Sequence, residues 1–530
     1  MRGTLKDGLE NLFPDSVVGD APVTSASFDV ARGGTAAVHI LLNGLREGDA
    51  VRLKARGKSG APPVEWFRLI DVPVERNTGP VGRTEREGER NESVVRRAPF
   101  RTYDAMEPVS PTAQATAPTL ALRLHIPVPA DARPGVREYD VTVKGGGETA
   151  EFHLAVRVHK PVIPPIGPES WPYSNWFRTD LMASRHSLTP WSEPHWRMIR
   201  KYADLMARAR QNVFTLSAWN CFERTPNGPT LNVPRMGRLV RTFTAAGLYY
   251  IECSHVAYRT GNKWTAPTFD CAFSGPLATS SEGRAWLASM CGQLMREIRR
   301  HCWQDRWLQH VADEPITENA ADFRLLCGIV RRHMPGIPLV DATMHLDLHG
   351  ALDIWCPQPQ EYQANREWFE RQRAAGDKVW FYTCLSPGGA WLNRCLDFEL
   401  LRPALFGWAA ARFQLDGFLH WAFNDYFRDQ DPFQQSVVRQ PEGAAPPGVD
   451  EHLPAGDTHV CYPGTDGPWS SLRLEAQREG IEDYELLTKL RERNPEKANA
   501  VIQPVLQGFD SYTRSIAEFR AGQKRLLESF

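Results

Sequence analysis

The chain of 530 residues lacks several things that would have decided its class at once. No run of about 18 apolar residues occurs, which excludes a membrane-spanning helix. No CxxC pair occurs, which argues against a zinc knuckle or a redox motif. The first 220 residues hold no cysteine, and all ten cysteines fall between Cys221 and Cys461. Several of these (Cys253, Cys356, Cys384) sit inside apolar strand-like runs, where a free thiol acts as a small hydrophobe, so reduced structural cysteines are expected. An excess of one charge is also missing: Lys plus Arg is 62 and Asp plus Glu is 63. That balance gives no reason to expect a nucleic acid or an anionic membrane surface as partner. The N-terminal MRGTLKDGLENLFPDS has no charged-then-apolar secretory pattern, so the expected location is cytoplasmic, or extracytoplasmic if a leader was removed. Hydrophobic residues at 42% and charged residues at 24% are ordinary for a globular protein with a large core.

What is present divides the chain in two. Before Trp171 there is one tryptophan, Trp66, and the remaining sixteen follow. The early part alternates with period two in stretches such as TAAVHILLNG, LALRLHIPVP and REYDVTVKG, punctuated by Gly, Pro and Asp. This predicts an antiparallel β-sandwich over residues 1–160. The charged segment from Glu75 to Arg97 is expected to be a solvated loop within it. PVIPPIGP, residues 161–168, reads as a stiff proline-rich linker. From 169 to 530, strand-like runs alternate with amphipathic helical stretches: PYSNWF, NVFTLSAW, LYYIECSHV, LQHVADE, IPLVDAT, LDIWCPQ, KVWFYTC and GFLHWAFN. Eight such runs over roughly 250 residues predict a (β/α)8 barrel with C-terminal helices. The connection between the fifth and sixth runs is too short for a normal helix. A doubly wound sheet is the competitor, weakened because no glycine-rich turn follows the first strand. The predicted fold class is therefore multidomain, β followed by α/β.

The fourth run, WLQHVADEP, ends in two adjacent carboxylates, Asp313 and Glu314, on the face where barrel enzymes build their sites. Pro315 cannot continue the ladder and is expected to hold Glu314 extended. Consecutive strand residues point to opposite faces, so both acids reach one ligand only if the backbone twists or bulges there. The bland alternative is a pair that complements a helix N-terminus or an arginine. Other strand ends and the loop after the eighth strand add Trp176, Trp219, Asn220, Tyr382, Trp391, Trp421, Asn424, Asp457 and Tyr462, with His459 beside them. Aromatic planes with a few polar tips and two acids suit a carbohydrate. Glycoside cleavage needs an acid with a raised pKa and a second group that stabilises the anomeric carbon. In substrate-assisted cleavage a 2-acetamido oxygen is the nucleophile, one carboxylate orients it, and the other acts as acid and then base. An adjacent Asp helps keep that Glu protonated.

The segment SSLRLEAQREGIEDYELLTKL, Ser470 to Leu490, together with WLQHVADEP, resembles glycoside hydrolase family 123 and the related domain of unknown function 4091 group. That resemblance covers most of the chain. It implies a β-sandwich followed by a barrel, and a retaining β-N-acetylgalactosaminidase in which Asp313 orients the acetamido group and Glu314 is the acid/base. Arg473, Arg478, Glu482 and Asp483 are expected to form a buried ionic network under the site. A glycosidase for a sugar without an acetamido group would need a separate carboxylate, for which Asp341, Asp425 and, less readily, Asp353 are candidates. A non-catalytic carbohydrate-binding protein is the third reading. No cofactor or metal is expected: His345 and His349 are four apart in MHLDLHG but lack an HExxH pattern. The β-sandwich is expected to be non-catalytic. Assembly, including a homo-oligomer, is left open by the sequence.

Overall fold

The structure, a computed structural model, describes residues 1–530 except 58–60, 226–227, 344, 428–429, 442, 447 and 450. Residues up to Val162 form ten strands in two sheets. One sheet has the order Arg2–Asp7, Thr35–Asn43, Thr119–Pro127, Glu65–Val74, Phe100–Val109; the other runs Ser25–Arg32, Glu148–Val162, Gly135–Gly145, Ala50–Gly57, Thr112–Gln114. Period-two patterning explains their pairing. In Gly135–Gly145, Tyr139, Val141 and Val143 are buried while Asp140 and Lys144 are exposed. Those three side chains share one core with Leu5, Val38, Ile40 and Leu42 of the first sheet.

Three details depart from the expected arrangement. The strands Glu148–Val162 and Ser25–Arg32 pair in parallel, so the sheets are not wholly antiparallel. The first sheet is also extended at its edge by Pro468–Ser471 and Tyr462–Pro463, from the far end of the chain. Pro161 and Val162, expected in the linker, still belong to the last strand of the N-terminal region.

After this comes a parallel barrel of eight strands: β1 Tyr173–Asn175, β2 Val213–Leu216, β3 Tyr250–Cys253, β4 Trp307–Gln309, β5 Val340–Ala342, β6 Ile354–Cys356, β7 Lys378–Thr383 and β8 Gly417–His420. Their order is 4-3-2-1-8-7-6-5, and a parallel bridge between Gln309 and Leu339 joins β4 to β5. No helix is described between β5 and β6, as the short connection predicts. Both faces of the strands are covered. Trp380 and Tyr382 point into the barrel interior with Val213, Ala342, Ile354 and Leu419, whereas Val379 and Phe381 pack outward against the helices. Trp380 fills the interior so closely that a Cβ at Gly417 would lie 2.4 Å from its ring, which explains the glycine opening β8.

The helix Leu472–Arg493, which carries the REGIEDYE stretch, packs against Leu401–Phe413 with backbones nearly touching: a Cβ at Gly407 would lie 1.9 Å from the Gly480 carbonyl. Its charged residues do not form the single network expected. Arg478 pairs with Glu475 at 2.9 Å and with Glu482. Arg473 instead binds Asp104 of the N-terminal sheet at 2.9 Å, and Asp483 accepts from Trp408 and Gln523 at 2.8 Å each. One helix thus satisfies three separate neighbours, because residues along a long helix face different directions. All ten cysteines are free thiols, nine of them buried.

Candidate active site

The loop-bearing end of the barrel holds two adjoining cavities of about 680 and 350 Å³. Trp176 and Asp313 line both, while Glu314 lines the smaller. The path of the backbone beyond β4 explains how adjacent residues share one space. Val311 and Ala312 donate their N–H groups, at 3.1 Å each, to the Asp341 carboxylate from β5 rather than to a strand. Glu314 then adopts φ +42°, a left-handed conformation rare for a side chain of this size. The expectation that Pro315 holds Glu314 extended is therefore wrong. Arg259 captures the Glu314 carbonyl at 2.5 Å, and the Tyr382 hydroxyl donates to its carboxylate, so tertiary contacts override the local preference. The turn re-aims the side chain, which is what a strand alone could not do.

Burial first, and then the Asp313 charge, push the Glu314 carboxyl up to about 7; the hydrogen bond from Tyr382 and the cations Arg259 and Arg83 oppose this. A carboxyl in that range can donate a proton near neutrality. Gln358 donates to the Tyr382 hydroxyl at 3.1 Å, fixing the direction in which that hydroxyl donates.

The aromatic residues divide into two groups. Trp176, Tyr382 and Trp421 line the smaller cavity, joined by Trp264. Trp219 and Asn220 line the larger one from the short helix Ala218–Cys221 rather than from a strand. Trp219 is 53% exposed and donates to the Tyr258 hydroxyl at 3.0 Å. The remaining predicted residues lie elsewhere. Trp391 packs against the outer core, and Asn424 is fully buried, bonding both the N–H and the carbonyl of Arg178 to tie β8 to β1. Tyr462 is buried with its hydroxyl on Asp104, in the strand added to the N-terminal sheet. Asp457 is buried behind the cavity, where it accepts from Trp421 at 3.2 Å; burial pushes its carboxyl up to about 7. His459 is also buried and lines neither cavity. The loop after β8 does line the smaller cavity, through Phe427, Gln440, Ala444, Pro446 and Leu453.

Neither leading candidate for a separate carboxylate faces a cavity. Asp341 is fully buried and Asp425 pairs with Arg178 at 3.0 Å. Asp353 accepts the Leu339 N–H and pairs with Arg331.

Sequence reasoning missed three groups. The first is Arg83, which lines the smaller cavity from the N-terminal segment expected to be a solvated loop. That segment is instead docked: Asp397 accepts from the Thr78 N–H and hydroxyl at 2.7 Å each and from Asn77 at 3.2 Å. Its turn meets the loop after β7 backbone to backbone, since a Cβ at Gly388 would lie 2.0 Å from the Gly79 carbonyl and one at Gly389 2.6 Å from that of Pro80. The segment's charge count hid the buried Asn77, Thr78, Thr84 and Asn91. The second is Arg259, named above.

The third is a buried chain of Glu252, His310, Asp341 and His255. His310 donates to Glu252 at 2.6 Å and to Asp341 at 3.0 Å; burial alone would discharge it, but those hydrogen bonds push it up to about 10. A Glu and two His within apolar strand ends (IECSH, LQH) were the available signal. Among the described residues, His255, His310 and Asp341 form the group whose donor atoms gather closely enough for a metal ion, within 4.8 Å of one another. Within that group His310 and His255 both face Asp341 Oδ1, while the other His310 nitrogen bonds Glu252 and Asp341 Oδ2 accepts the Val311 N–H.

Residues 272–490 match the family model described as glycoside hydrolase 123, catalytic domain, a span that includes Asp313, Glu314 and the REGIEDYE helix. Among solved structures, the chain is similar to a family 123 glycoside hydrolase from Clostridium perfringens, studied for glycolipid glycan hydrolysis. The TM-score is 0.72 at 13% identity, over 100% of this chain and 97% of that one, which is a likeness of fold. A β-glucuronidase from Parabacteroides merdae matches with a TM-score of 0.33 and 10% identity, over 85% of this chain and 50% of that one. A β-D-glucuronidase from Dictyoglomus thermophilum gives 0.35 and 11%, over 84% and 66%. Those two scores are too low to carry an argument. No curated protein sequence matches the chain. By this matched segment, the chain carries a region similar to the catalytic domain of glycoside hydrolase family 123 and is a glycoside hydrolase.

Proposed function

We propose that the enzyme is a retaining exo-β-N-acetylhexosaminidase of galactosamine type that uses the substrate's own 2-acetamido oxygen as nucleophile. Asp313 accepts the acetamido N–H and balances the positive charge of the cyclic intermediate. Glu314 protonates the leaving oxygen, then removes a proton from the water that opens the intermediate. One observation carries this reading: among the described residues, the cavity with Glu314 is lined by two carboxylates, adjacent in sequence, and by no third. An enzyme with a protein nucleophile needs two carboxyl groups on opposite sides of the bond, roughly 5 Å apart for retention. The raised Glu314 carboxyl supports its role as acid. Trp176, Tyr382 and Trp421 supply the ring faces and edges against which a sugar packs.

The β-rich N-terminal region is proposed to act as a sandwich that does no chemistry itself but completes the pocket wall through Arg83. Hydrolysis of matched aryl β-glycosides, with and without the 2-acetamido group, by the wild type and by Glu314→Gln tests the reading. Cleavage confined to acetamido sugars and lost in the variant is expected. Cleavage of sugars lacking the group would refute substrate assistance and point to a different use of Asp313.

A further inference from the structure

We propose that His255 is a positioning residue for Asp313, and that the buried Asp341–His310–Glu252 chain sets where its ring, and so the Asp313 carboxylate, points. The proposal rests on the reading of Asp313 given above. His255 Nε2 lies 3.3 Å from Asp341 Oδ1 and 3.8 Å from Asp313 Oδ1, so one ring N–H faces two carboxylates. A shift of roughly 0.6–1 Å makes the second contact a hydrogen bond. Asp341 cannot follow such a shift. Its Oδ2 is held by two backbone N–H groups and its Oδ1 by His310. His310 is in turn fixed at its other nitrogen by Glu252, which also accepts from the Ser174 hydroxyl and, at 2.8 Å, from the Trp176 indole.

The chain therefore runs through β5, β4, β3 and β1 and ends on two groups that face the cavities, Asp313 and Trp176. The Trp176 ring stands edge-on to both histidines, at 5.4 and 5.5 Å between centroids. Apolar residues would fill the same volume with little loss of stability. A row of four buried ionisable groups terminating at the sugar platform and at the orienting carboxylate is explained by position, since a carboxylate that must hold one N–H needs a fixed direction.

The test uses 4-nitrophenyl N-acetyl-β-galactosaminide and its N-mono-, di- and trifluoroacetyl analogues. Wild-type kcat should fall steeply with each fluorine, because the acetamido oxygen becomes a poorer nucleophile. His255→Leu should lower kcat by about 10- to 100-fold, the scale of losing one charged hydrogen bond, with KM little changed. His255→Gln, whose side-chain amide can reach the place of Nε2, should recover most of that loss. If His255→Leu does not fold, His255→Asn, too short to reach Asp313, takes its place. Equal impairment of the Gln variant and the Leu or Asn variant would overturn the proposal, as would one stoichiometric metal ion in the purified enzyme. A flat wild-type fluorine series would refute the acetamido reading alone, and the comparison among His255 variants would still decide the positioning role.

Discussion

Glu314→Gln is predicted to inactivate the enzyme and, above about pH 5, to stabilise it. The Glu314 carboxyl has an ordinary value of 4.5 and is pushed up to about 7 in the fold, first by burial and then by the Asp313 charge. At about 1.4 kcal/mol per pH unit, the folded state disfavours the ionised form by about 3 kcal/mol relative to the unfolded chain. Between those two values the unfolded chain has released its proton and the folded chain has not, so raising the pH favours unfolding. Below 4.5 both states are protonated and the penalty is absent; above 7 it is complete. Glutamine never ionises, and its carbonyl can still accept from Tyr382. The stability difference between variant and wild type should therefore open across that window, reaching on the order of 5 °C in Tm at pH 8. Calorimetry of both proteins from pH 4 to pH 8 measures it. A difference independent of pH, or a wild type that gains on the variant as pH rises, would refute the argument. Activity provides the paired readout: wild-type kcat/KM should decline about tenfold per pH unit above 7, as expected for a required acid.

Asp313→Asn should lower kcat by about 100-fold or more and move the alkaline limb of the pH profile to lower pH, because the neighbouring negative charge no longer raises Glu314. Tyr382→Phe should move that limb the opposite way, since the lost hydrogen bond had favoured the ionised form; steady-state kinetics across pH distinguish the two signs. Arg83→Ala should likewise shift the limb to higher pH, and a profile identical to wild type would refute a contribution from the N-terminal segment. Asp397→Ala leaves three donors on Asn77 and Thr78 without their acceptor and should cost about 2–4 kcal/mol in urea unfolding, with a fall in activity as the 75–97 segment loosens.

The barrel was legible because its strands are covered on both faces and read as apolar runs separated by helical periodicity. The acid pair stood out because two adjacent carboxylates close an apolar strand at the loop-bearing end of the barrel, and both line the smaller cavity. Depth was not legible. Asp457, His459 and Tyr462 follow within ten residues of Leu453, which lines the cavity, but the chain turns back into the N-terminal sheet, and sequence distance does not reveal that return. Trp391 and Asn424 carry the right chemistry at the right end of the barrel yet face the core and a neighbouring strand. The 75–97 segment shows the converse. Its many charges suggested water, whereas a few neutral polar residues among them dock it. The Glu314 turn escaped because the rule for residues before proline is local, and the contacts from Arg259 and Tyr382 are not.

The close approach of Gly79 and Pro80 to Gly388 and Gly389 bears on how such an enzyme can be rebuilt by recombination. Gly388 and Gly389 have no room for a side chain against the turn, Gly82 of the turn has none against Leu385 and Ser386, and Arg83 takes its place in the cavity beside it. A crossover that grafted a foreign N-terminal region onto this barrel would have to import glycines on one side to match those on the other. The two regions are thus heritable as one cassette, and variation in the turn would alter the pocket without touching a residue of the barrel.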